Sequence, residues 1–296
     1  MAHSLRSDWL SAFAVFASRL NFTHAARELH LSQPALHVQI GRLSESLGAP
    51  LYARRGRRLE LTAAGTRLLA FAREGEERER SFIASLEGRG SPGPVALCAG
   101  EGAYLHLLGQ AIKAFARRRP EVALQLLVRD AAGTVEAVRS GEVHVGIAAF
   151  GGTPKGLCAE PICEVGQVVV LPASHPLARK RSLGIKDLGG LPLVVPPEGR
   201  PHRIALERAL HEAGGALQVA AEANGWQLMV HFVGLGLGLS VVNGFCQVPR
   251  SLVRRPLRGM PSVPYAMLTR QDARHGEDVA LLRRLVLTHG EAWRTY

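Results

Sequence analysis

The stretch that decides the fold is Ala25-Ala26-Arg27-Glu28-Leu29-His30-Leu31-Ser32-Gln33-Pro34-Ala35-Leu36-His37-Val38-Gln39-Ile40. Ser32 is a good N-cap, and Pro34 suits a first helical turn, where its missing N–H costs nothing. From there Leu36, Ile40, Leu43 and Leu47 recur every three to four residues, one face of a helix, and Gly48 supplies a C-terminal stop. Upstream, Thr23 can cap a short helix over 25–29, and Leu31-Ser32 leaves room only for a tight turn. Leu10, Phe13, Val15, Phe16 and Leu20 predict a helix before it. Two short helices joined by a tight turn, the second entered through Ser-Gln-Pro, make a helix-turn-helix.

Working outward, residues 51–54 and 58–61 flank Arg55-Gly56-Arg57 and read as a β-hairpin turning at Gly56. Arg54, Arg55, Arg57 and Arg58 crowd around that glycine. Guanidinium groups on such a wing can lie along a phosphate backbone or enter a minor groove; a charge run on a turn is otherwise solvated. On the third helix, Gln33 can pair with adenine and Ala35 can touch a thymine methyl; His37, Gln39 and Arg42 are further candidates. Thr23, Ser32 and Pro34 complete the set expected to face a duplex. Thr62 then caps a long helix to about residue 86, in which Leu61, Ala64, Leu68, Phe71, Gly75, Arg78 and Phe82 step by three and four. Leu68, Phe71 and Phe82 are its candidate dimerisation contacts. Residues 88–94, Gly-Arg-Gly-Ser-Pro-Gly-Pro, have the composition of a flexible linker.

From Val95 onward the texture changes. Strands are predicted over 95–99, 122–128, 143–149, 168–172, 192–196, 217–222, 237–242 and 264–270. Helices are predicted over 105–119, 135–139, 202–213, 227–234 and 277–293. Alternation of this kind implies parallel sheets with crossover helices, and about two hundred residues suit two small α/β subdomains better than one.

Composition narrows the partners. The 296 residues carry 36 basic and 25 acidic side chains, a net charge of +11, which favours polyanions. The basic residues are nearly all Arg, which suits phosphate and guanine contacts, although a GC-rich genome gives the same bias. Cys98, Cys158, Cys163 and Cys246 form no C-x-x-C pair, and no metal site or cofactor is expected. The start, Met1 to Asp8, lacks a signal-peptide pattern, and the apolar run 228–245 is interrupted by His231, Asn243 and four glycines. A cytoplasmic protein with no membrane partner is expected. Gly234-Leu235-Gly236-Leu237-Gly238 has the wrong spacing for a dinucleotide loop, and no nucleophile–base motif is present, so no catalysis is expected.

The pattern Ala25-Ala26-x-x-Leu29-x-Leu31-Ser32-Gln33-Pro34-Ala35-Leu36, then Ile40-x-x-Leu43-x-x-x-Leu47-Gly48-x-Pro50-Leu51-Tyr52-x-Arg54 and Leu61-Thr62-x-x-Gly65, resembles the N-terminal region of LysR-type transcriptional regulators. Looser likeness continues through Phe115-x-x-x-x-Pro120, Ser174-His175-Pro176-Leu177 and 233–238. The resemblance implies a winged helix-turn-helix, a dimerising linker helix, and an α/β sensor domain similar to type-2 periplasmic binding proteins. It implies a tetramer on DNA and an effector held between the two sensor subdomains. The chain departs from the family's usual pattern at His37, at 99–104, which has no hydroxyl until Tyr104, and at Gly141-Glu142-Val143-His144.

Expected domains are therefore 1–61, the DNA-binding head; 62–90, linker helix and hinge; and 91–296, the effector-sensing domain. In the last, subdomain I spans about 91–163 and 265–296 and subdomain II about 164–264. Effector candidates are Gly100, Glu101, Gly102, Ala103, Tyr104, Thr134, Glu198, Arg200, His202 and Asn224, drawn from strand ends and from the loop opening the helix at Pro201. A ligand touching both Glu101 and Arg200 would carry an amine and an acid, so an anionic or amino-acid-like effector is expected. The other expected partners are double-stranded DNA with an inverted-repeat operator, a second copy of the chain in a homodimer or homotetramer, and RNA polymerase. The alternatives are a solute-binding module of transport type and an enzyme built on the α/β domain.

Overall fold

The computed structural model describes residues 5–56, 58–86, 93–150, 152–271, 273 and 275–290. Arg57, most of the Gly-rich linker and the chain end beyond Gly290 lie outside the described residues.

Three helices, α1 (Ser7–Arg19), α2 (Phe22–Glu28) and α3 (Gln33–Leu47), precede a hairpin of β1 (Tyr52–Arg55) and β2 (Arg58–Leu61). Local chemistry sets their ends. Ser32 Oγ accepts from Ala35 N–H at 3.3 Å, and Gly48, with φ +64°, closes α3. The cap of α2 is Asn21, not Thr23: Asn21 Oδ1 accepts from His24 N–H at 3.1 Å, so the helix starts earlier than the sequence suggested. Phe13, Phe16, Leu36, Ile40, Leu43 and Leu51 are fully buried and form the head's core. Thr62 Oγ1 accepts from Gly65 N–H at 3.0 Å and starts α4 (Ala63–Leu86).

The sensor holds β3 (Val95–Ala99), α5 (Glu101–His106), α6 (Gly109–Arg118), β4 (Leu124–Val128), α7 (Ala131–Arg139), β5 (Val145–Ala149) and β6 (Leu157–Val165). Next come β7 (Gln167–Pro172), β8 (Leu183–Gly184), β9 (Pro192–Val195), α8 (Pro201–Glu212), β10 (Gln218–Glu222) and α9 (Trp226–Gly234). The last elements are β11 (Ser240–Asn243), β12 (Leu252–Arg258), β13 (Val263–Arg270) and α10 (Glu277–Gly290). One sheet has the order β4-β3-β5-β13-β6; another runs β11-β7-β12-β8, with β9 and β10 paired beside it. The sheets are mixed, not parallel as expected: β3 is parallel to β4 and β5, but β13 is antiparallel to both β5 and β6.

Three strands, β6, β8 and β12, lie outside the predicted ranges, and the two longer ones, β6 and β12, both contain proline. Pro161 is accommodated because β6 is an edge strand whose register slips against β13 beside Tyr265. In β12, Arg254 and Arg255 look like loop residues, yet their guanidinium groups donate to the carbonyls of Gly244, Cys246 and Ala178. The largest core spans both sheets: Ala103, Phe115 and Ile147 share one cluster with Val194, Met229 and Phe245. The two sensor layers therefore share one buried core.

Candidate DNA interface and effector cleft

The head displays one open face. On α3, burial of Leu36, Ile40 and Leu43 turns Gln33, Pro34, His37, Val38 and Arg42 outward. Thr23 Oγ1 donates to Gln33 Oε1 at 3.1 Å, which aims the side chain and leaves both amide protons available. His37 is partly committed: its Nε2 lies 3.3 Å from Tyr52 Oη, and its ring meets Phe22 with centroids 5.0 Å apart. Phe22 also stacks on Phe16, and Tyr52 packs edge-on to both, so one aromatic cluster fixes the wing against α3. Ala35 is half-buried and Ser32 is occupied as the cap. Gln39 is only partly exposed, and its Oε1 is buried in the head. Val38, which the sequence reading passed over, is 51% exposed there.

Arg54, Arg55 and Arg58 are all exposed on the hairpin, which turns at Gly56 with φ +61°. Arg54 Nε donates to Gly56 O at 3.2 Å, and Arg55 sits 3.3 Å from Glu60. The face thus combines donors over a groove-sized helix with cations beside it, the arrangement that positions a protein on phosphates while reading base edges.

Linker helix α4 splits its apolar residues. Leu68 is only 7% exposed and belongs to the head core with Leu69 and Ala72, which removes it from the candidate dimer seam. Phe71 and Phe82 are 54% and 63% exposed, and Ile83 joins them.

The cleft between the sensor layers is crossed by direct contacts. Arg200, N-cap of α8, donates to Asp130 Oδ2 at 2.9 Å; Asp130 caps α7 on the opposite side. Trp226 lies on Gly102, where an added methyl would sit 2.9 Å from the indole Cδ1, so a side chain there would displace the indole. His106 Nε2 lies 3.1 Å from Gln227 Nε2 and its ring stacks on Phe245. The backbone N–H of Gly133, then Arg200, hold the Asp130 carboxyl below its ordinary range.

Glu101, Glu198 and Asn224 are exposed at the cleft rim, and Glu198 faces Arg203 at 3.6 Å. Gly100 caps α5. Four candidates sit elsewhere. Ala103 is in the core. Tyr104 Oη donates to Leu97 O at 2.7 Å and Leu127 O at 3.0 Å, tying two strands together. Thr134 is fully buried against Cys98. His202 contacts Val241 O through Nε2 at 2.8 Å and Trp226 edge-on, and burial pushes its pKa down to about 4. It is therefore a neutral packing residue and not the cation expected. Sequence periodicity could not reveal these burials, because each depends on a neighbour distant in the chain.

Among the described residues, no group of three or more His, Cys, Asp or Glu is placed to hold a metal, and no helix is long and apolar enough to cross a membrane.

Known proteins place this geometry. Residues 7–66 match the bacterial regulatory helix-turn-helix protein model of the lysR family, and residues 88–291 match the LysR substrate binding domain. The transcriptional regulator CbbR of Xanthobacter flavus is 32% identical over 242 residues, 79% of this chain and 71% of that protein. A full-length OxyR variant from Pseudomonas aeruginosa superposes with a TM-score of 0.68 at 22% identity, covering 99% of this chain and 96% of the other. Full-length CbnR in complex with its target DNA superposes with a TM-score of 0.56 at 23% identity, over 97% and 100% of the two chains. With both family models matched in order along one chain, this protein belongs to the LysR family of transcriptional regulators, with a DNA-binding helix-turn-helix ahead of an effector-binding domain.

Proposed function

We propose that this regulator grips an inverted-repeat operator with Gln33, Pro34, His37 and Arg42 of α3 in the major groove and Arg54, Arg55, Arg57 and Arg58 on the flanking phosphates. The observation that carries this reading is the two-sided α3: three fully buried apolar residues on one face, and exposed Gln33, His37 and Arg42 on the other. The working units are 1–61 as head, 62–90 as linker and 91–296 as sensor. Exposed Phe71 and Phe82 on α4 support pairing with a second copy, which would present two heads to the two half-sites. The chain acts as a cytoplasmic switch with no catalysis of its own. Footprinting of full-length protein on promoter fragments tests this: a protected inverted repeat is expected, and uniform, sequence-blind protection would reject it.

The effector enters between the sensor layers. Gly100, Glu101 and Gly102 line one side, and Glu198, Arg200 and Asn224 the other. Because Arg200 already pairs with Asp130, an acidic ligand would replace that carboxylate, while Glu101 would accept from an amine. A thermal-shift screen of small acids, amines and amino acids should find such a compound, and Glu101→Ala with Asn224→Ala should remove the shift. A compound bound equally well by both variants would move the site elsewhere.

A further inference from the structure

Helix α7 is held at both ends by arginines from other parts of the molecule. At its start Arg200 of the second sensor layer grips the N-cap Asp130 at 2.9 Å. At its finish Arg73 of the linker helix donates from Nη1 to the C-cap Ser140, to the carbonyl at 3.1 Å and to Oγ at 3.2 Å. The linker helix also lies directly on the next residue: a methyl on Gly141, φ +68°, would sit 3.2 Å from Ala70 Cα. Arg270 Nη2 reaches Glu74 at 3.3 Å beside this contact.

A second track runs parallel to the helix. Arg129 precedes Asp130, its stem passes over Gly133, and its guanidinium closes on Glu142 in two bonds of 2.8 and 2.6 Å. Glu142 follows Gly141 and, with Glu76, offsets the burial that lowers the pKa of Arg73. Both ends of α7 are thus joined by the peptide rod and by an ion pair laid along it.

The rod itself does not bend. Thr134, Ala137 and Val138 are fully buried against the sheet, so its nine residues, about 14 Å long, shift only together.

We propose that α7 carries the state of the cleft to the linker helix, with Arg200 and Arg73 as positioning residues at its two caps for effector-controlled DNA binding. This rests on the cleft being the effector site. A ligand that takes Arg200 from Asp130 frees the N-cap end of α7, and the altered seat of Ser140 and Glu142 loosens Arg73. The angle of the head then follows the linker helix. Effector and DNA are coupled only as far as each binds one seat of α7 better than the other.

Hydrogen–deuterium exchange of the full-length protein without ligand tests the coupling. Arg73→Ala should speed exchange in peptides covering 70–76 by about tenfold, the loss of one charge-assisted hydrogen bond pair. Arg200→Ala, at the far end of α7, should speed the same peptides, and Arg200→Lys should restore them. Asp130→Asn keeps an oxygen to cap α7 while removing the charge, and should behave as Arg200→Ala. If Arg200→Ala and Asp130→Asn leave 70–76 at the wild-type rate while Arg73→Ala raises it, α7 transmits nothing. If Arg73→Ala changes nothing, the linker is not held there and the proposal also falls. Failure of the effector assignment would look different: no compound shifts melting, yet 70–76 still responds to Arg200→Ala.

Discussion

The head and the sensor cleft use arginine in opposite ways. On the wing, Arg54, Arg55 and Arg58 are exposed, and the one ion pair they make among the described residues, Arg55–Glu60 at 3.3 Å, is exposed and worth little. In the cleft, Arg200 is paired across the layers, and Trp226 fills the space above Gly102. The head is therefore pre-formed for a large anion that diffuses to it. At the cleft Arg200 already has a partner, and an acidic ligand must displace Asp130 before making its own contact. Affinity for DNA reads out directly from exposed charge; affinity for effector reads out as a difference between open and closed forms.

Four experiments would break or sharpen this contrast. The largest effect is expected in α4, which belongs to the head at one end. Leu68→Ala should cost about 3 kcal/mol of stability in chemical denaturation, as a buried leucine does, whereas Phe71→Ser should leave stability nearly unchanged and lower the mass seen in light scattering. Equal stabilities would mean that Leu68 is not a core residue.

The packing behind the cleft has its own signature in acid. His202 is held neutral by burial, its pKa down at about 4 against 6.5 for the ordinary side chain. The unfolded chain takes up a proton below about pH 6.5 and the folded one does not, so stability falls as pH drops from 6.5 towards 4, by at most about 3 kcal/mol. His202→Gln should flatten that part of the stability curve measured by urea titration. An unchanged slope would mean that His202 is exposed to solvent.

For the wing, replacing Arg54, Arg55 and Arg58 together with alanine should lower affinity about a hundredfold near physiological salt. It should also reduce the slope of log K against log salt by about 3, because three phosphate contacts are lost. Smallest is Gln33→Ala, expected to cost about 1–3 kcal/mol on one sequence and to relax preference at a single base pair, leaving the salt slope intact. A Gln33 variant that lost affinity equally on all sequences would make that residue a phosphate contact.

The sequence by itself determined the head. Ser32, Pro34 and Gly48 act on neighbours a few residues away, and Leu36, Ile40 and Leu43 declare their face by spacing alone, so short-range chemistry suffices to locate α3 and the hairpin after it. Even there, the choice between Asn21 and Thr23 as cap required coordinates, since both residues can cap. Only the tertiary structure decided the rest. Pro161 and Arg254-Arg255 read as loop until the partners β13 and β7 turn them into strands. Thr134, Tyr104 and His202 are polar types near strand ends, and their removal from the cleft depends on Cys98, Leu127 and Val241, more than twenty residues away in the chain. The closure of the cleft by Arg200 and Asp130, and the docking of Arg73 on Ser140, join residues about seventy positions apart. Pairings over such distances are set by how whole layers pack, which no local pattern of residues encodes.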